Sequence, residues 1–127
     1  MNTPPSPNAL SIHIENLAQW RGVDVVDEHS EKLGKLDDVL YDGESDVPAF
    51  GAVRSGRLSK HLTLVPLHGA TVGRDYVRVR ASKSTFKDAP SFDTDTQLTI
   101  DDEASVYGFF GLEYAPTAQG GRRLAKR

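Results

Sequence analysis

At 127 residues, with 38% hydrophobic and 26% charged positions, the chain is sized for one domain with one modest core. It contains no Cys, which excludes disulfides, thiolate nucleophiles, iron–sulfur clusters and cysteine zinc sites together. The formal net charge of −3 argues against a dedicated nucleic-acid binder, and no apolar run approaches the roughly 20 residues that a membrane helix needs.

The opening Met-Asn-Thr-Pro-Pro-Ser-Pro has neither the basic nor the apolar stretch of a secretory signal, so a cytoplasmic protein is expected. Residues 1–10 read as a disordered leader, residues 11–114 as the folded unit and residues 115–127 as a flexible basic tail. The charge is unevenly spread along this plan. Residues 61–90 carry five Lys/Arg against two acids, residues 91–116 carry six acids and no Lys/Arg, and residues 117–127 carry four basics and no acid.

A first short helix is predicted over about 14–21, stopped by Gly22, with Trp20 plugging one end of the fold. Val23–Asp27 is β-branched and reads as a strand, followed by a polar turn at Glu28–Glu31. In residues 32–41, Leu33, Leu36, Val39 and Leu40 have helical spacing, but Gly34, Val39 and Tyr41 favour a strand. A strand with a bulge near Asp37-Asp38, which resets the alternation, reconciles the two. Asp42-Gly43 opens a turn that runs to Pro48. Phe50/Ala52, Leu62/Leu64 and Val77/Val79 then alternate with polar or small residues, the period-2 pattern of half-buried strands. Pro66 closes the fourth strand or sits on an edge, because it cannot donate to a ladder. A second helix over about 99–110 starts at Thr99, with Asp101, Asp102 and Glu103 in its first turn, where the helix dipole favours anions. The expected architecture is mainly β: a small antiparallel barrel of five to six strands, closed because closure removes exposed edges, with two short flanking helices.

Little of this sequence points to reaction chemistry. His13, His29, His61 and His68 form no metal-ligating pair, although His61 and His68 flank one strand. Asp93-Thr94-Asp95 opens like a calcium loop, but Leu98 and Ala104 stand where that loop needs Gly and Glu. Phosphate-loop, dinucleotide and nucleophile-elbow motifs are absent. No catalytic residue, cofactor or metal is therefore expected, and the chain is read as a non-enzyme. Two groups of basic residues remain. Arg74, Arg78, Arg80, Lys83 and Lys87 form a partner-docking candidate, with Arg78 and Arg80 on the strand face opposite Val77 and Val79. Arg122, Arg123, Lys126 and Arg127 are candidate tail contacts, the one route by which nucleic acid could be engaged.

The runs Arg21–Asp27 and Glu31–Asp42, then Leu64-Val65-Pro66-Leu67-His68-Gly69-Ala70, Tyr76–Val79, Lys87-Asp88-Ala89-Pro90 and Tyr107-Gly108-Phe109-Phe110-Gly111, occur in an order and spacing that resemble the PRC-barrel domain. The resemblance spans about residues 20–111, and the form is similar to standalone PRC-barrel proteins common in actinobacteria and related bacteria. It implies a small β-barrel with an interaction role, in which Gly22, Gly34 and Gly69 are turn or bulge positions. Family members include the cytoplasmic domain of the photosynthetic reaction-centre H subunit and the C-terminal domain of the ribosome maturation factor. The expected function is thus a protein–protein adaptor whose partner, a protein of unknown identity or a second copy forming a homodimer, docks on a barrel face or strand edge. A ribosome- or RNA-associated factor is the alternative, and an H-subunit-like role comes third.

Overall fold

The computed structural model describes residues 21–56, 61–93, 98–115 and 121–126. The leader at 1–10, most of the expected first helix, Trp20, His13 and Arg127 lie outside the described residues. In chain order the elements are β1 (Asp24–Val26), β2 (Lys32–Asp42), β3 (Pro48–Arg54), β4 (His61–Pro66), β5 (Thr71–Val72), β6 (Tyr76–Arg78), α1 (Lys83–Asp88), β7 (Ser91–Asp93), α2 (Ile100–Phe109) and β8 (Leu124–Lys126).

The mainly β class holds, with two short helices beside one eight-stranded sheet of order β5-β6-β1-β2-β3-β4-β7, and β8 also on β2. Three details differ from expectation. The described strands number eight rather than five to six, the ladder does not close, since β5 and β7 end it, and β1 pairs with β6 in parallel rather than antiparallel fashion. Apolar side chains from the two helices are buried against the sheet, Phe86 of α1 in one cluster and Val106 and Tyr107 of α2 in another. The two terminal strands are only two and three residues long, which limits the exposed edge that closure would otherwise have to remove.

β2 organises the sheet. β3 runs along one side of it, while β1 and β8 follow one another along the other side, at Lys32–Lys35 and Leu40–Asp42. β2 itself carries two bulges, one against β1 around Leu33 and one against β3 between Leu36 and Asp38, where the sequence places the bulge; a third shift, between Leu40 and Tyr41, puts its extra residue, Ala49, on β3. Each bulge in β2 inserts one residue. Leu33, Leu36, Val39 and Tyr41 therefore all join the same core cluster despite spacings of three, three and two. The helical spacing in the sequence is the signature of a doubly bulged strand.

Gly34 sits where this strand crosses β3, and a Cβ there would lie 2.4 Å from the carbonyl oxygen of Arg54. Pro66 does end β4, and Thr99 does cap α2, with a reciprocal capping box to Asp102.

The core has two halves. Val25, Leu33, Leu36, Val39, Tyr41, Val53, Val65, Leu67, Val77, Val79 and Phe86 pack together. Leu40, Phe50, Ala52, Leu62, Leu64, Val106, Tyr107 and Leu124 pack as a second cluster that includes α2 and β8. The alternating pairs Phe50/Ala52 and Leu62/Leu64 share a face as expected. The opposite face of those strands is buried too, through Gly51, Val53 and Val65, so β3 and β4 are not half-solvated.

Candidate functional site

The five basic residues predicted to dock a partner surround β6 and α1. Val77 and Val79 point into the core at 1% exposure, which turns Arg78 and Arg80 outward as the alternation requires. Arg78 is held in place. Its Nη2 donates to Ser30 Oγ at 2.9 Å and its guanidinium lies 5.2 Å from the centre of the Tyr76 ring. Ser30 belongs to the Asp27–Glu31 turn, and that turn also receives the start of α1, since Lys83 N–H donates to Asp27 Oδ2 at 3.1 Å. One turn thus brings Arg78 and Lys83 to the same region, with Lys87 one helical turn further on. Arg80 lies over Gly69, whose φ of +77° and lack of a Cβ make room for it; a Cβ there would meet Arg80 Cδ at 2.5 Å. Arg74 is exposed in the connection between β5 and β6.

Asp27 is the anchor of this arrangement. Burial at 1% exposure acts to raise its carboxyl, but the backbone N–H groups of Glu31, His29 and Lys83 outweigh that and hold it below the usual carboxylate range. Neither Asp27 nor Ser30 was selected by the sequence reading. Their signal was the Asp-x-x-Ser turn chemistry after a β-branched run.

The tail residues fare differently. The chain end is not a free basic tail where it is described: Leu124–Lys126 pairs antiparallel with Asp42–Leu40. The reason is a buried acid. Glu103 of α2 is 0% exposed; its Oε1 accepts from Tyr114 O–H at 2.5 Å and Arg123 N–H at 2.8 Å, and its Oε2 accepts from Leu124 N–H at 2.8 Å. Arg123 Nε donates to Asp42 Oδ2 at 2.8 Å, Nη1 lies 3.5 Å from Glu44 and donates to Ala115 O at 3.1 Å. Gly43 N–H donates to Arg123 O at 2.7 Å, so the Asp42-Gly43 turn closes on the tail. Burial acts to raise Asp42, but the Arg123 guanidinium and the N–H groups of Glu44 and Ser45 keep it below the ordinary range. Arg122 Nη1 reaches Leu98 O at 3.4 Å. Arg123 is therefore committed within the fold rather than offered to a phosphate.

Glu103 does stand in the first turn of α2, as expected, but it also lies on the inward stripe of buried 103, 106 and 107 and half-buried 110, while Asp101 and Asp102 lie off it; that spacing was the available signal.

His61 opens β4 and His68 lies in the turn beyond Pro66, with the strand between them rising about 17 Å at ~3.3 Å per residue. His61 Nδ1 is 3.8 Å from Asp93 at an exposed edge. Among the described residues no group of three or more His, Asp or Glu could hold a metal ion, and no helix is long and apolar enough to cross a membrane.

The family model for the PRC-barrel domain matches residues 13–86, which takes in β1 to β6 and part of α1 and leaves α2 and β8 beyond it. No curated protein matches the chain.

Proposed function

The chain belongs to the PRC-barrel family, and from that premise we propose that it is a non-enzymatic protein-interaction module whose docking surface is the basic face of β6 and α1. The observation that carries this reading is the immobilised Arg78, held on the same Asp27–Glu31 turn that binds the backbone of Lys83, on a segment (residues 74–88) with five basic residues against two acidic ones. A guanidinium already held by a hydroxyl and an aromatic face has less side-chain freedom to lose on docking, which favours it as an interface anchor. The matching partner surface is acidic, and its attraction weakens as salt screens it.

The test is a native pull-down at moderate salt with the wild-type chain and with an Arg78→Glu/Lys83→Glu/Lys87→Glu variant. Recovery of a protein by the wild type and its loss with the variant is the expected result. Equal recovery by both removes the basic face from the account. No reproducible partner, together with a strictly monomeric sedimentation profile, removes the adaptor reading.

A further inference from the structure

The cleft that holds β8 joins α2, beyond the family-matched residues, to β2 and its turn, within them, and recognises its occupant in detail. Glu103 reads two consecutive backbone N–H groups, those of Arg123 and Leu124. Asp42 and Glu44 read the guanidinium between them. Leu124 fills an apolar position at 3% exposure, and Leu40–Asp42 supplies a three-residue ladder. Without an occupant the Glu103 carboxylate would exchange two backbone N–H donors for water and keep the Tyr114 hydroxyl. The cleft is thus built to be filled by an extended Arg-Leu segment.

That segment is supplied by the chain itself, but every contact it makes could be made equally by the same segment of another molecule. Only the tether differs. The Arg123 guanidinium donates to Ala115 O at 3.1 Å, which ties together the residues on either side of the Pro116–Arg122 stretch. Seven residues of Pro-Thr-Ala-Gln-Gly-Gly-Arg sequence span up to about 24 Å at ~3.4 Å per residue, more than a return to that point requires. We propose that the cleft between α2 and the β2–β3 turn is an exchangeable strand-docking site, and that its occupant in a dimer is Arg122–Lys126 of a second copy of this chain. The inference rests on the interaction-module reading but uses a different surface. In the monomer the tether keeps the local concentration of β8 near the millimolar range, so self-docking prevails in dilute solution. Exchange prevails when the return path is removed, as in strand-swapped dimers generally.

The experiment deletes residues 116–121 from the full chain, leaving Arg122 as the sole link between Ala115 and Arg123, and measures mass by sedimentation velocity. A dimer that reverts to monomer when Leu124→Asp is added supports exchange. A monomer, or a dimer indifferent to Leu124→Asp, overturns it. Should the deletion fail to fold, a labelled peptide of residues 121–127 is titrated against the full-length Leu124→Asp chain, whose own tail no longer competes. Saturable binding, weakened about tenfold or more when the peptide carries Arg123→Glu, supports the site. No binding by a folded chain overturns it. The Arg78→Glu/Lys83→Glu/Lys87→Glu variant leaves exchange unchanged, so this inference and the docking function fail separately.

Discussion

Glu103→Gln isolates the buried acid that holds the chain end, because it keeps shape and volume while removing charge and one acceptor. An amide oxygen can replace Oε1 and still accept from Tyr114 and Arg123. The amide nitrogen then faces the N–H of Leu124, donor against donor, and leaves that buried group unpaired. An unsatisfied buried N–H costs about 1–3 kcal/mol, and changing two charge-assisted bonds to neutral ones costs ~1 kcal/mol each. Relief from burying a charge offsets part of the sum, leaving a loss of about 2–3 kcal/mol. For a domain of this size that lowers the melting temperature by roughly 8–20 °C if unfolding is global. Urea denaturation gives the free energy. Limited tryptic cleavage at Arg122, Arg123 and Lys126 gives the local release of β8, and cleavage there should precede loss of the tyrosine near-ultraviolet signal. A variant within ~0.5 kcal/mol of wild type, with an equally protected tail, would refute the assignment of Glu103 as the residue that docks β8.

Gly34→Ala drives a methyl group into the Arg54 carbonyl, so the β2–β3 crossing must part, at a cost of about 3 kcal/mol in urea denaturation. Asp27 has a lowered folded pKa, so its contribution is present above the unfolded value of about 3.9 and is lost as pH falls through the folded one. Asp27→Asn should flatten the stability profile in that acid window. Tyr114 behaves in the opposite sense. Burial first, and the Glu103 carboxylate second, push its pKa up to about 12, so stability falls as pH rises from about 10 toward that value, and Tyr114→Phe should remove that slope. Arg123→Gln should leave any ribosome co-sedimentation unchanged, since Arg123 is neutralised by Asp42 and Glu44. Salt-sensitive co-sedimentation lost with that substitution would favour the RNA reading instead.

The strand class, the bulge at Asp37, the stop at Pro66 and the Thr99 cap were legible because each depends on residues a few positions apart. Alternation, missing donors and capping geometry are local rules. The helix at Lys83–Asp88 was missed although Ser82 caps it, accepting from Thr85 N–H, because six residues are too few for a periodic signal.

What the sequence by itself determined was a mainly β module with turns and caps in their places, and an outward-facing basic group at Arg78 and Arg80. Only the tertiary structure decided that Glu103 is buried, that the basic tail becomes a strand and that Arg123 is an internal cation. Those outcomes rest on partners 20, 21 and 81 residues apart. A carboxylate in a helix's first turn and an Arg-rich tail read as solvated groups until the fold places each against the other. Low local dielectric then makes their pairing strong and their separation costly.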